Sequence, residues 1–281
     1  MNNNFGYDKN LFILPFDHRA SFARMFGFTN ITSDEKQYII SAKKLIYESF
    51  QNAISQSVPK DQAAILVDEE YGSEVLKDAI QKKFTTILTT EKSGQEGFDF
   101  EYGESFAEHI EKYKPTFTKA LIRYKSNADW SKLKILSDYC HTHGYKFLLE
   151  MLMGLNTLNA QNMVSAIDVL REKGIEPDVW KLEGMENKSD YESVIAKIQQ
   201  DNRQNVGLVI LGRGESKEKV EQWINAGKGV KGVIGFAVGR TMFAQPLISY
   251  KNGKIDKEKL IAEISSNYQY LYKLFIKDTN I

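Results

Sequence analysis

Short apolar runs of about five residues recur along this chain, each closing in charged residues or glycine and each leading into a helical pattern. Leu11-Phe-Ile-Leu-Pro-Phe16 ends in Asp17-His18-Arg19, and Ala63 to Val67 ends in Asp68-Glu69-Glu70-Tyr71-Gly72. Thr85 to Thr89 closes in Glu91-Lys92-Ser93-Gly94, Lys119 to Tyr124 closes in Lys125-Ser126-Asn127, and Tyr145 to Leu149 runs into Glu150. Three more follow: Pro177 to Gly184, Val206 to Leu211 entering Gly212-Arg213-Gly214, and Gly232 to Val238 entering Gly239-Arg240. The spacing of apolar residues predicts helices over 34–56 (capped by Ser33 or Asp34), 73–83, 104–113, 129–143, 158–173, 189–202, 216–227 and 256–275. Strand then helix, repeated about eight times without hairpins, implies a parallel sheet. At 281 residues that number favours closure. The expectation is an α/β protein, a single (β/α)8 TIM barrel over 1–281 with a polar segment at 1–10. An open doubly wound sheet competes, but no dinucleotide fingerprint follows the first strand and no low-complexity linker divides the chain.

Charge narrows the partners. Lys+Arg and Asp+Glu are both 37, and no long basic run suggests nucleic acid or an anionic membrane. No apolar stretch approaches the roughly 20 residues of a membrane span, and the first residues lack a secretory pattern, so a cytoplasmic location is expected. Small molecules are the expected partners, with room for a homo-oligomer. The single cysteine, Cys140, excludes an internal disulfide.

Within Pro177 to Gly184, Val179, Lys181 and Glu183 share one face of the strand while Trp180 and Leu182 share the other. If Trp180 and Leu182 pack under helices, Lys181 faces the barrel interior, where an ammonium is costly and an amine can serve as a nucleophile. The plainer alternative is a lysine that reaches water or pairs with Glu183. In the fourth strand Lys119, Leu121, Arg123 and Lys125 alternate with Ala120, Ile122 and Tyr124. With the apolar set under helices, cations enter the interior and need partners such as Asp17, Glu150 or a bound anion. A basic face turned outward is the competing register.

Gly212-Arg213-Gly214 and Gly239-Arg240 follow the seventh and eighth strands, where barrels often hold a phosphate on glycine N–H groups and arginine. Cys140, His141 and His143 offer three zinc donors without a fourth in view, so no metal is expected. His18 is the one histidine at a strand end.

Six segments carry a family resemblance: Leu14-Pro-Phe-Asp17-His18-Arg19-Ala-Ser-Phe22, Val67-Asp68-Glu-Glu-Tyr-Gly72, Glu91-Lys-Ser-Gly-Gln95, Glu176 to Gly184, Val209 to Gly214 and Gly235 to Thr241. Together they resemble the domain fused to a sugar kinase in some bacterial myo-inositol catabolic proteins, which is similar to class I aldolases of the tagatose 1,6-bisphosphate type. The resemblance implies a 2-deoxy-5-keto-D-gluconate 6-phosphate aldolase with no cofactor. Lys181 would be its Schiff-base lysine, Asp17 its first-strand acid, Lys119 and Glu150 its strand-four and strand-five pair, and Arg240 its phosphate arginine. Gly212, Gly214 and Gly239 would join Arg240 on the phosphate. Arg213, Arg123 or His18 would meet the substrate carboxylate, and Arg19 belongs to the same binding set. Ala20 stands where the fused domains usually have glycine, and His18 replaces the glutamine common in the tagatose enzymes. An aldolase or transaldolase for another ketose phosphate stays open, as does a sugar-phosphate-binding module without turnover.

Overall fold

The computed structural model describes residues 5–277. Eight parallel strands close into one barrel: β1 (Leu11–Pro15), β2 (Ala63–Val67), β3 (Thr85–Thr89), β4 (Phe117–Arg123), β5 (Lys146–Leu152), β6 (Val179–Glu183), β7 (Gly207–Leu211) and β8 (Val233–Ala237). The helices are α1 (Ala20–Met25), α2 (Ser33–Gln56), α3 (Glu69–Gln81), α4 (Phe106–Tyr113), α5 (Ser131–His143), α6 (Ala160–Glu172), α7 (Lys188–Ile198), α8 (Lys217–Gly227), α9 (Arg240–Lys251) and α10 (Lys257–Ile276). The barrel expectation holds, and the open sheet is excluded because β1 pairs with both β2 and β8. Closure needs a glycine at that seam: a Cβ on Gly235 would lie 2.1 Å from the carbonyl oxygen of Leu11.

Period-two alternation sorts the strand residues into two cores. Leu11, Ile13, Leu66, Ile87, Phe117, Leu148, Val179 and Val209 fill the barrel, while Phe12, Leu14, Ile122, Trp180 and Leu182 pack outward under the helices. Lys119 and Lys181 follow the inward set, so the outward register for the basic face of β4 is excluded. One end of the barrel is closed by Gly6 and Tyr7, just ahead of β1. Tyr7 sets its ring edge-on to Phe117 at 5.0 Å between centroids, and the Gly6 N–H donates to buried Asp178 at 2.8 Å.

Four of the differences from the sequence expectations have a local physical cause. The cap of α2 is Thr32, earlier than Ser33 or Asp34, because Thr32 and Glu35 exchange hydrogen bonds as a capping box. Helix α3 begins at Glu69 rather than residue 73, since the Asp68 side chain accepts from the Tyr71 N–H and starts the helix directly after β2. Helices α1 and α9 were not anticipated: α1 is only six residues without a side-chain cap, and α9 contains Pro246. Pro246 cannot donate to the carbonyl of Met242, and the Asn267 side chain of α10 does so instead at 2.8 Å.

Candidate active site

At the carboxyl end of the barrel, a cavity of about 300 Å³ opens over a floor of buried ionisable side chains. Lys181, from the middle of β6, donates to Glu150 of β5 at 2.8 Å. Lys119 of β4 lies 3.1 Å from the same Glu150 oxygen, and donates to Asp17 at 2.9 Å and to Glu91 at 2.6 Å. Thr89 Oγ1 donates to Asp17 at 3.0 Å. The strand register places Glu150 beside Lys181 and opposite Leu121, so one carboxylate serves the amines of the two flanking strands. Lys181 therefore pairs with Glu150, not with its chain neighbour Glu183.

The electrostatics of the floor follow from burial set against these pairings. Burial disfavours the Lys119 ammonium, but Asp17, Glu150 and Glu91 outweigh it and hold the amine well above its usual pKa. Burial likewise works against the carboxylates of Asp17 and Glu150, yet Lys119 leads the opposing contributions and keeps both below their usual range. Glu91 goes the other way: burial raises it, and Lys119 does not fully compensate. Burial also pushes the His18 imidazole down to about 4, Asp17 opposing the shift and Arg240 and Lys181 adding to it. The site thus holds a fixed cation, two fixed anions, and a neutral imidazole at neutral pH.

Glycine turns after β7 and β8 form one rim. Gly212, Gly214, Gly239 and Arg240 all line the cavity, and Arg240 donates to the backbone oxygen of Arg213 at 3.1 Å. A Cβ at Gly214, where φ is +79°, would lie 2.8 Å from the Arg240 guanidinium carbon, so the arginine rests against bare backbone. Arg213 also lines the cavity, but its guanidinium is ion-paired to buried Glu183. Arg19 is similarly committed, to Glu101 and, at 2.6 Å, to the carbonyl of Glu91. Arg123 reaches the rim from the last residue of β4, and His18 lines the wall beside Asp17.

Two pairings lie outside the catalytic and binding set read from the sequence, although Glu91 and Asp68 both stand in the motifs quoted there. Glu91 lies on the floor, though it follows β3 as an apparent loop charge, and its partner Lys119 is on the next strand. The Lys43–Asp68 pair, fully buried between α2 and the end of β2, was hidden because Lys43 sits in the middle of a helix among other lysines. The sequence signal for Lys43 is its register: it falls on the face shared by Ile39, Ile46 and Phe50. Cys140, His141 and His143 do not converge. The thiol meets Thr118, His141 faces Asp178, and His143 meets the carbonyl of Tyr139. Among the described residues no group of three or more metal-ligating side chains is assembled. None of the helices in the described residues is long and apolar enough to cross a membrane.

The family described as "Uncharacterized protein conserved in bacteria (DUF2090)" matches residues 3–279. The chain belongs to this family. No curated protein matches the sequence. Solved structures similar to this member of the family include Cgl0159 from Corynebacterium glutamicum, at 17% identity and a TM-score of 0.58, covering 98% of this chain and 88% of that one. A Schiff-base-forming fructose-1,6-bisphosphate aldolase superposes with a TM-score of 0.59 at 13% identity, covering 97% of this chain and 96% of its own. An archaeal fructose 1,6-bisphosphate aldolase gives 0.60 at 13% identity, with 95% and 94% covered. At such identities the likeness speaks to the barrel fold.

Proposed function

We propose that the chain is a class I aldolase, a carbon–carbon lyase that cleaves a phosphorylated keto sugar acid through an imine on Lys181. The observation that carries this is the Lys181 amine, 2.8 Å from the buried Glu150 carboxylate on the floor of an open cavity. An amine must shed a proton before it attacks a ketone, and Glu150 is within reach to take it. The carbinolamine then loses water as Glu150 returns that proton to the departing hydroxyl. The resulting protonated imine draws the electron pair of the adjacent carbon–carbon bond onto nitrogen. Asp17 accepts the proton of the hydroxyl on the carbon that becomes the aldehyde. Protonation and hydrolysis of the enamine release the second product and restore Lys181. Lys119, held charged by three carboxylates, keeps Asp17 and Glu150 ionised and in place.

Arg240 and the glycine turns would hold the phosphate. The motif resemblance gives the specific case: 2-deoxy-5-keto-D-gluconate 6-phosphate, cleaved to dihydroxyacetone phosphate and malonate semialdehyde. Likeness to two aldolase barrels lends support, and fold alone does not decide chemistry.

Trapping tests the amine chemistry. After incubation with dihydroxyacetone phosphate and borohydride, peptide mass analysis should find the reduced adduct on Lys181, and Lys181→Met should abolish it. An adduct on Lys119 would place the nucleophile on the wrong strand. No adduct, with phosphate-ligand binding confirmed by a raised melting temperature, would make the chain a binding module without turnover.

A further inference from the structure

The cations around the cavity divide into two sets. Arg19, Lys119, Lys181 and Arg213 are each ion-paired to a carboxylate. Arg24, Lys92, Arg123 and Arg240 line the same cavity, and among the described residues none of these four has a carboxylate within ion-pair distance. Their placement is not random around the mouth. Arg240 follows β8, and Arg24 lies in α1 after the adjacent β1. Lys92 follows β3, and Arg123 ends β4. In a closed barrel of eight strands β4 is four strands from β8 in either direction, so Arg123 stands across the mouth from Arg240.

The floor between them carries Asp17, Glu91 and Glu150 against Lys119 and Lys181, which pair with one another, so the cations without a carboxylate partner stand at the two rims. Along β4, Lys119 and Arg123 both line the cavity. Lys125, two residues further on, leaves it and pairs with Glu96 at 2.7 Å. We propose that Arg123 and Lys92 form a second anion subsite, opposite Arg240, that takes the carboxylate or phosphate at the far end of a doubly anionic substrate. This rests on the aldolase assignment above, which lays the substrate across the mouth with its ketone at Lys181. A chain held at both ends presents the bond to be cleaved over Asp17 and Glu150, and a guanidinium at the rim can meet either oxyanion with two parallel hydrogen bonds.

Equilibrium binding tests the subsite without imine chemistry. In a Lys181→Met background, titration calorimetry would compare fructose 6-phosphate, 6-phosphogluconate and fructose 1,6-bisphosphate, which carry one anion, a phosphate with a carboxylate, and two phosphates. Arg123→Gln should weaken at least one two-anion ligand by about tenfold and fructose 6-phosphate by less than about twofold. Lys125→Gln, which removes the same charge outside the cavity, should change all three by less than about twofold. A loss confined to 6-phosphogluconate assigns the subsite to a carboxylate, and one confined to the bisphosphate assigns it to phosphate. Equal weakening of all three ligands, the same effect from Lys125→Gln, no effect of Arg123→Gln, or no binding by the parent would overturn the subsite. Absence of a borohydride adduct on Lys181 would overturn the aldolase assignment while leaving this binding result standing.

Discussion

Lys119 and Lys181 share the inner face of the barrel and one carboxylate, yet their surroundings differ. Three acids lie within ion-pair distance of Lys119, whereas among the described residues Lys181 has one, Glu150. His18 brings a measurable pH signature to this site. Its imidazole lies near 4 when folded, below the ordinary value of 6.5. Between those values the unfolded chain binds a proton that the folded chain does not, so stability falls as pH drops below 6.5. Urea denaturation at pH 7 and pH 5 should show wild type losing about 2 kcal/mol more than His18→Asn over that interval. An equal loss in both proteins would mean that His18 titrates normally in the fold. Much of this site was legible in the sequence at the level of single residues. Trp180 and Leu182 on one face of a strand required Lys181 to take the other, and that is where it lies. Glu91 was not legible, because only the pairing of β3 with β4 brings a loop carboxylate to Lys119. Arg19 and Arg213 illustrate the same limit: nothing in a linear pattern announces Glu101 or Glu183 as the acid that claims each guanidinium.

Among the elements, α2 does more than cover the barrel. Its Lys43 is buried against Asp68, which in turn accepts from the Tyr71 N–H at the start of α3. Burial drives Lys43 down and Asp68 up against their mutual attraction, so the pair carries a desolvation cost that each partner offsets for the other. Lys43→Met alone should cost about 3–5 kcal/mol in chemical denaturation, since it strands a buried carboxylate. Adding Asp68→Asn, which keeps an acceptor for Tyr71, should recover most of that. A double variant no better than the single one would show that the lysine stem, not its charge, matters. The eight strands and the long helices were readable from periodicity, whereas α1 and α9 were not. A six-residue helix offers less than two turns of pattern, and Pro246 argues against a helix until the Asn267 side chain is seen satisfying Met242.

Considered as a whole, the molecule has one open end and one sealed end. The seal centres on Asp178, which is fully buried and accepts from the N–H groups of Gly6 and Phe147, each at 2.8 Å, and from Lys146 at 2.9 Å. Asp178→Asn turns one of those acceptors into a donor facing donors. It should cost about 1–3 kcal/mol of folding stability while leaving borohydride trapping on Lys181 intact, because the seal lies at the opposite end from the mouth. Loss of trapping in a folded Asp178→Asn protein would show that the two ends are coupled. The carboxylate shared by the two lysines has its own implication for the imine proposed on Lys181. An iminium nitrogen keeps one N–H and a positive charge, so the bond from Lys181 to Glu150 can outlast condensation with a ketone. An ammonium and an iminium carry the same charge, so forming the proposed imine would leave the charge at this nitrogen unchanged. Only the geometry around one nitrogen changes, from tetrahedral to trigonal, and the neighbouring dipoles need not reorient to receive it.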